Sequence, residues 1–351
     1  MLSNISIVNY KSIESYKFDL SKLNLLTGAN STGKSSVIQA LLLLSDNIQE
    51  NGAQKGLVSR HSPIYAFSEV RNYIQNAKYY TLETEETNTK CTLQFSPLDD
   101  SLMRTQVTQN GEVSRDLYDL LSNGLLYLPA LRAGNLSTTR INTNPIANPL
   151  GVCGEYVIDF YYTHREDLIS ETFLPHIKIA KNLQNIVNYW LQTLTGYTCE
   201  VSFSGSEYHL QYIIEGKRLS PLHVGTGVSY ILTVLIVCLA SIKKGIVIIE
   251  NPEIHLHPSA QADLLDFFAE ITNTGTQLII ESHSDHFFNG IRRLLHLKRL
   301  KLKDVKLYHF NKNRNNNSEI IPIELSQEGG IKQYIPEMFE QFDKDLNAIL
   351  S

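Results

Sequence analysis

The sequence predicts an α/β protein with a mixed, mostly parallel sheet, and three observations support this fold class. An apolar run over 23–27 meets a glycine-rich turn and then an apolar helical segment over 35–44, which is the order strand, loop, helix. After Pro221, predicted strands alternate with helices, a pattern typical of parallel strands covered on both faces. Hydrophobic residues make up 42% of the 351 residues and charged residues 19%, so a sizeable core is available.

The N-terminal part is predicted to be rich in β-hairpins. Residues 4–9 alternate between apolar and polar side chains like a strand, and 16–20 are the predicted hairpin partner. Residues 77–95 predict a second hairpin with a polar tip, and 125–129 predict a short strand. The Asn, Thr, Pro and Gly residues that dominate 135–151 predict a loop or a mobile flap.

The rest of the chain is predicted to hold a small helical lobe and then an alternating lobe. Apolar residues recur at helical spacing over 165–195, and a strand pair follows at 199–203 and 208–214. The later elements are a helix over 228–241, a strand over 245–250, a helix over 258–271, a strand over 277–281, a basic helix over 286–299, strands over 306–310 and 318–325, and a closing amphipathic helix within 331–350. These elements divide the chain into an N-terminal lobe over 1–134, a loop and helical lobe over 135–220, a C-terminal lobe over 221–325 and a tail over 326–351.

The glycine-rich turn carries the most specific signal. Residues 28–35, GANSTGKS, match the phosphate-loop pattern GxxxxGK[ST] in full. The glycines permit positive φ angles, so backbone N–H groups can converge on phosphate oxygens, and the helix start adds partial positive charge. The lysine offers an ammonium to the β- and γ-phosphates, and the serine hydroxyl can bind Mg²⁺. The predicted nucleotide-binding residues are Asn30, Ser31, Thr32, Gly33, Lys34, Ser35 and Ser36; the alternative is an ordinary glycine turn with an exposed lysine.

An acidic residue, Glu250, ends the apolar strand 245–250. Ligands collect at the carboxyl ends of parallel strands, so we expect Glu250 to hold Mg²⁺ together with Ser35, directly or through water. Asn251 and Glu253 follow, and one of them is expected to face the attacking water. The alternative is that Glu250 is a strand-end acid satisfied by neighbouring donors.

Two further turns place polar residues at predicted helix starts. Gly225, Thr226, Gly227 and Ser229 lie in a small-residue turn that opens an apolar helix. This turn is a second candidate anion site, which would serve a nucleotide held by another subunit, and the alternative is a plain helix cap. His283 follows the next apolar strand and is a candidate partner of the γ-phosphate or the attacking water; the alternative is a structural histidine.

Taken in order, these elements give the chain a resemblance to the ABC-type ATPase heads of the RecF and SMC class. It is most similar to short stand-alone AAA-family ATPases of the OLD/Septu kind in bacterial anti-phage systems. The segments that carry the resemblance are VNYKSI (8–13), LTGANSTGKSS (26–36), LYLPALRAG (126–134), HVGTGVSYIL (223–232), IIENPEIHLHPSAQ (248–261) and ESHSDHF (281–287).

The resemblance implies a P-loop ATPase fold, with ATP and Mg²⁺ as cofactors. It makes Lys34 and Ser35 the Walker A pair, Glu250 the Walker B acid and His283 the switch histidine. The turn over 225–229 then stands where the ABC signature loop would be and contacts ATP in trans. A homodimer or higher homo-oligomer follows, together with a separate effector protein such as a nuclease or toxin.

The chain departs from this family pattern directly after the Walker B acid. ABC ATPases usually have a catalytic glutamate there, and this chain has Asn251. An amide cannot act as a base, so we expect slow ATP hydrolysis with Glu253 as the candidate base. Arg132, in the segment LYLPALRAG, resembles an element of the short ATPases and is a candidate contact to nucleotide or partner; the alternative is a packing or surface arginine.

A basic segment over 292–306 is the best candidate for contact with nucleic acid. Its candidate contact residues are Arg292, Arg293, Lys298 and Arg299, and Lys243 and Lys244 are basic residues elsewhere in the sequence. The alternative is a solvated helix face. Two alternatives for the function stay open. One is a RecF-like ATPase that binds DNA, and the other is an ATP-binding scaffold without turnover.

Composition and local sequence patterns argue against several other classes of protein. The net charge of −5 argues against a chain that binds nucleic acid along its whole surface. The four cysteines form no close pair, which argues against a disulfide scaffold and a CxxC site. The N-terminus lacks a signal-peptide core, and the apolar run over 228–240 is shorter than the ~20 residues that span a bilayer. We therefore expect a cytoplasmic protein without a membrane partner.

Overall fold

Strands dominate the N-terminal part of the chain, and helices become more frequent after it. The computed structural model describes residues 1–50, 54–61, 64, 66–86, 89–134, 138–145, 149–170, 173–174, 177–242, 245–335, 338 and 348–349. The strands are β1 (Asn4–Tyr10), β2 (Ile13–Asp19), β3 (Leu23–Gly28), β4 (Gln54–Gly56), β5 (Tyr80–Glu86), β6 (Thr89–Pro97), β7 (Thr105–Asn110), β8 (Leu125–Leu128), β9 (Thr138–Arg140), β10 (Thr198–Ser204), β11 (Glu207–Ile214), β12 (Lys217–Leu219), β13 (Ile246–Glu250), β14 (Gln277–Glu281), β15 (Val305–Lys312) and β16 (Ser318–Pro322). The α-helices are α1 (Lys34–Asn47), α2 (Phe67–Val70), α3 (Arg115–Ser122), α4 (Val157–His164), α5 (Leu183–Thr195), α6 (Thr226–Ala240), α7 (Pro258–Asn273) and α8 (Asp285–His296).

The chain divides into two compact units, and each unit is discontinuous in sequence. Unit 1 comprises Met1, Ser59–Pro63 and Ser114–Ile280. Unit 2 comprises Leu2–Val58, Ile64–Val113 and Glu281–Ser351, so the last residue of β14 belongs to unit 2. The four sequence segments of the predicted division stay a prediction.

Unit 2 contains an antiparallel sheet with the strand order β2-β1-β5-β6-β7-β4. Burial explains the alternation of apolar and polar residues in β1, because Ile5, Ile7 and Tyr10 are fully buried between partly exposed neighbours. The register places Ile5 opposite Phe18 of β2, and β5 and β6 form the predicted second hairpin. Alternating burial of this kind is what a sheet with one covered face requires.

Unit 2 also holds the strands that support the phosphate loop. β15 runs parallel to β3 and antiparallel to β16, so the strand set is mixed. All residues of β3 except Gly28 are buried, as expected for a strand covered on both faces. β3 leads into the loop, and α1 leaves it with Val37, Ile38 and Leu41 in the core.

Unit 1 combines parallel strands with a helical layer and a small sheet. β13 runs parallel to β8, in the order β14-β13-β8, and its four apolar residues are fully buried. α5 packs against α6 and α7, with the Trp190 and Phe267 rings 5.2 Å apart. β10, β11 and β12 form an antiparallel sheet, and β9 also pairs with β11.

Several elements differ from those predicted from the sequence. The helical spacing over 165–195 yields a helix only from Leu183, because the Asn182 side chain accepts a hydrogen bond from the Asn185 N–H and caps its start. The predicted basic helix ends at His296, and the predicted strand over 318–325 ends at Pro322. Sequence patterns did not indicate β4, β7, β12, α2, α3 or α4, and β9 forms within 135–151, which was predicted to be a loop or flap. Most of the predicted C-terminal helix within 331–350, and Lys243 and Lys244, lie outside the described residues.

α6 contains most of the longest apolar run of the chain. It has 15 residues and is buried around nearly its whole circumference, from Val228 to Leu239. Within the described part of the chain, no helix combines the length and the apolar character that crossing a membrane requires.

Candidate nucleotide-binding site

The two glycines of the phosphate loop occupy positions that exclude a side chain. Gly28 has φ +135°, and a Cβ there would lie 2.2 Å from the Phe310 carbonyl oxygen. Gly33 has φ +110°, and a Cβ there would lie 2.1 Å from Ser318 Oγ. Both the left-handed backbone and the close neighbours therefore require glycine. Ser31 also has a positive φ, of 61°.

Hydrogen bonds within unit 2 fix the shape of the loop. Ser318 Oγ donates to the Thr32 carbonyl at 2.7 Å and lies 2.7 Å from Ser12 Oγ. Thr32 Oγ1 donates to the Ala29 carbonyl at 2.8 Å. The sequence interpretation gave Ser12 and Ser318 no role, because only the folded chain brings β16 and the β1–β2 turn to the loop.

Lys34 lies inside the loop. Its side chain donates from Nζ to the carbonyl oxygens of Gly28 and Ala29, at 3.0 and 2.6 Å, and the residue is only 2% exposed. Burial lowers the pKa of Lys34, and the negative charge of Glu281 partly offsets this effect. A buried ammonium within a turn of left-handed glycines, at the start of α1, is suited to bind phosphate oxygens.

Ser35 contacts a carboxylate that the sequence interpretation did not assign to the site. Ser35 Oγ donates to Glu281, with its two carboxylate oxygens at 3.0 and 3.1 Å. Glu281 is 5% exposed and ends β14. One sequence signal was available, since Glu281 is an acid that closes a buried strand two residues before His283.

His283 is also placed next to the phosphate loop. Partial burial is the main cause that lowers the pKa of His283, and the positive charge of Lys34 lowers it further. A hydrogen bond with the Gly28 backbone acts in the opposite direction. The lowered pKa of His283 favours its neutral imidazole, which lies near the groups predicted to bind phosphate. Its predicted contact with γ-phosphate or water stays a prediction.

In unit 1, Glu250 accepts two hydrogen bonds from residues that follow or belong to β8. Tyr127 Oη donates to Oε1 at 3.0 Å, and the Ala130 N–H donates to Oε2 at 3.1 Å. Glu250 is half-buried at the end of β13, as predicted. These donors satisfy the carboxylate within its own unit, and the roles of Glu250 in metal binding and of Glu253 as a base stay predictions.

Arg132 is a buried residue that organises the end of β13. It donates from Nη1 to the Glu250 carbonyl at 2.8 Å and from Nη2 to the Asn251 carbonyl at 2.9 Å. Its guanidinium carbon lies 5.0 Å from the centre of the Tyr230 ring. Burial lowers the pKa of Arg132 to about 10, so it stays charged at neutral pH. The contacts give Arg132 a positioning role; a contact with nucleotide or partner stays a prediction.

The predicted signature-like turn is only partly accessible. Gly225 and Thr226 are exposed at the start of α6. Gly227 allows α6 to approach the loop after β13, because a Cβ there would lie 2.5 Å from the His255 carbonyl oxygen. Ser229 differs from its prediction: it is 4% exposed, and Tyr212 Oη donates to its Oγ at 2.9 Å. A hydroxyl buried in its own subunit in this way is not presented to a nucleotide held by another.

The predicted basic surface contains three exposed residues and one half-buried arginine. Arg292 donates from Nε to the Gly329 carbonyl and from Nη1 to Asn289 Oδ1, both at 2.8 Å. Arg293, Lys298 and Arg299 are exposed, and the last two lie beyond the end of α8. Contact of these residues with nucleic acid stays a prediction.

The chain is similar to one protein family and to several solved structures. The model of the AAA ATPase domain family (AAA_15) matches residues 1–144 and 158–288. The comparison with curated proteins gives no match. An SmcHead bound to the C-winged helix domain of ScpA is 12% identical, with TM-score 0.58 over 93% of this chain and 98% of that chain.

Two further solved structures are similar. The Smc head domain of Pyrococcus furiosus, with an extended coiled coil and bound to the C-terminal domain of ScpA, is 11% identical with TM-score 0.58, covering 100% of this chain and 99% of that chain. The recombination mediator protein RecF-ATPrS is 11% identical with TM-score 0.47, covering 92% and 98%. The SMC heads confirm the P-loop fold of the ABC/SMC-head type. Since the family model covers most of its length, the chain belongs to the AAA ATPase domain family.

Proposed function

We propose that this protein binds Mg·ATP at the phosphate loop and hydrolyses ATP slowly, as a switch ATPase of the SMC and RecF class. One observation carries the proposal: Lys34 and Ser35 end a loop whose two glycines adopt left-handed conformations, and His283 lies beside this loop. This is a donor set for a triphosphate and its metal. Family membership supports ATPase chemistry in general.

Different residues of the loop would bind different parts of Mg·ATP. The loop amides and Lys34 would hold the β- and γ-phosphates, and Ser35 would hold Mg²⁺. Glu250 is proposed as the Walker B acid. Mg²⁺, when bound, neutralises charge that develops on the phosphates. Asn251 cannot accept a proton, so Glu253 is the proposed base and turnover is slow.

Turnover of the purified protein tests this function. We expect release of phosphate from ATP that depends on Mg²⁺ and is lost in Ser35→Ala, with Ser15→Ala as the control because Ser15 is an exposed serine of the same unit. A wild-type protein that binds ATP without releasing phosphate would favour the scaffold without turnover. Release of phosphate that is equal in Ser35→Ala would contradict the assignment of the loop.

We further propose that two or more copies assemble around ATP. The support is the exposure of Gly225 and Thr226 at the start of α6, where backbone N–H groups are available to an anion. Sedimentation with ATP and Mg²⁺ should then show a larger species than without nucleotide. A protein that remains monomeric in ATP and Mg²⁺ would contradict this assembly.

The same switch is proposed to act in anti-phage defence with a separate effector, such as a nuclease or toxin. The support is the resemblance of the sequence segments, and the SMC heads of the same fold are bound to ScpA, a separate protein, in their structures. Co-expression with the product of a neighbouring effector gene should reduce phage plating, and Lys34→Ala should abolish the reduction. Unchanged plating with the intact pair would contradict the defence role.

A second candidate function, binding of nucleic acid in the manner of RecF, is favoured by the exposure of Arg293, Lys298 and Arg299. Changing these residues to Glu should weaken DNA or RNA binding at constant salt and reduce its salt dependence. Arg292 is left intact because its hydrogen bonds are structural. Binding that survives in the triple variant at the same salt would remove this candidate.

A further inference from the structure

The contact between Ser35 and Glu281 has a direction that matters for metal binding. Ser35 Oγ lies 3.0 and 3.1 Å from the two carboxylate oxygens of Glu281. A carboxylate only accepts hydrogen bonds, so the single proton of the Ser35 hydroxyl points to Glu281. The lone pairs of Oγ are then directed away from Glu281. A hydroxyl can bind a cation only through these lone pairs, and this direction of the hydrogen bond leaves them available.

The charge of Glu281 points to the same conclusion. Glu281 is 5% exposed, and a carboxylate this deeply buried needs positive charge nearby. Lys34 interacts electrostatically with Glu281, but its ammonium donates to the carbonyls of Gly28 and Ala29. When a triphosphate is bound, Lys34 faces several phosphate charges, and a divalent cation beside Ser35 would add positive charge next to Glu281.

We propose that Glu281 is a carboxylate of the magnesium site, which orients the Ser35 hydroxyl and binds the water ligands of the metal. This inference rests on the proposed function, because the metal arrives with ATP at the same loop. Glu281 thereby acts on the metal from the end of β14, in addition to the Walker B role proposed for Glu250 at the end of β13.

A competing explanation is that Glu281 inhibits metal binding by holding the Ser35 hydroxyl away from the metal. The two explanations predict opposite signs for Glu281→Gln, which keeps the shape and an acceptor oxygen but removes the charge. If Glu281 supports the metal, the variant loses Mg²⁺-dependent affinity for ATP. If Glu281 competes with the metal, the variant gains it. In EDTA, loss of a negative charge near the triphosphate should leave ATP affinity equal or higher in both cases.

The experiment measures ATP affinity with Mg²⁺ and with EDTA, and Mn²⁺ binding in the presence of ATP by electron paramagnetic resonance. Proteins are the wild type, Glu281→Gln, Glu281→Asp and Glu324→Gln, an exposed glutamate of unit 2 that serves as the matched control. We expect Glu281→Gln to reduce Mn²⁺ affinity and the Mg²⁺-dependent gain in ATP affinity by about 10- to 100-fold, the usual effect of losing an outer-sphere partner. Glu281→Asp should keep part of the gain, and Glu324→Gln all of it.

Each outcome decides between the alternatives. Mn²⁺ affinity that is unchanged or higher in Glu281→Gln overturns the inference while leaving ATP binding by the wild type intact. A wild type that binds no ATP overturns the proposed function and this inference with it. Should Glu281→Gln fail to fold, Glu281→Asp decides: a lower Mn²⁺ affinity supports the inference, and an unchanged one overturns it.

Discussion

Arg132 offers a test of how the end of β13 is held in place. Its guanidinium donates to the carbonyl oxygens of Glu250 and Asn251, and Asn251 has a left-handed backbone with φ 45°. Arg132→Met removes both donors while keeping an apolar side chain of comparable length. The two carbonyls then lose a charged partner in a region where Arg132 itself is only 4% exposed.

The expected cost follows from these contacts. A buried acceptor that loses its partner costs about 1–3 kcal/mol, and carbonyls that regain water cost less. Two such carbonyls, together with the lost contact to the Tyr230 ring, give a decrease of about 2–4 kcal/mol in the free energy of unfolding. Arg132→Lys keeps the charge but cannot bridge both carbonyls, so it should recover only part of this loss.

Urea denaturation at pH 7 measures the effect, with phosphate release as a second readout. Arg115→Met is the matched control, because the Arg115 side chain is 81% exposed and its ion pair with Asp119 lies at the surface. We expect a clear loss of stability and of turnover in Arg132→Met and no clear change in Arg115→Met. Equal free energies of unfolding for Arg132→Met and the wild type would refute the positioning role.

Three further predictions concern the loop, the base and the histidine. Gly33→Ala should lower ATP affinity by about tenfold or more, because the left-handed backbone alone costs about 1–2 kcal/mol and Ser318 Oγ must also move. Gly205→Ala is the control, because Gly205 has φ +69° and open space around its Cβ position. Equal ATP affinities of Gly33→Ala and the wild type would contradict the packing account. Glu253→Gln should lower turnover by about a hundredfold with ATP affinity retained, and full turnover in a phosphate-release assay would rule out Glu253 as the base. Because the pKa of His283 is lowered in the folded state, the contribution of His283 to stability is present above pH ~6.5 and is lost as the pH falls below that value. Without nucleotide, the free energy of unfolding of His283→Gln should therefore depend less on pH than that of the wild type. An unchanged pH profile of unfolding in His283→Gln would contradict this expectation.

The sequence allowed prediction of those parts of the site that depend on neighbours along the chain. The left-handed glycines, Lys34 and Ser35 lie within one short motif, where residue type and spacing determine the backbone shape. Most strands were predictable for a similar reason, because apolar runs such as residues 246–249 need no distant partner to be recognised.

The remaining parts of the site depend on contacts between distant residues. Ser35 and Glu281 are 246 residues apart, and no local pattern indicates that an acid at the end of β14 reaches this serine. The contacts of Arg132 likewise depend on how the loop after β8 folds back on β13. Burial of Ser229 could have been anticipated, because it lies within an apolar helix that offers little polar surface.

The central claim is that the loop over 28–35 binds a triphosphate through Lys34. The most direct measurement is calorimetric titration of ATP, with Mg²⁺ present, into the wild type, Lys34→Ala and the exposed control Lys17→Ala, after circular dichroism has shown that each is folded. A charged hydrogen bond contributes about 1.5–3 kcal/mol, so Lys34→Ala should lose roughly 10- to 100-fold in ATP affinity while Lys17→Ala matches the wild type. An ATP affinity in folded Lys34→Ala equal to that of the wild type would contradict the account.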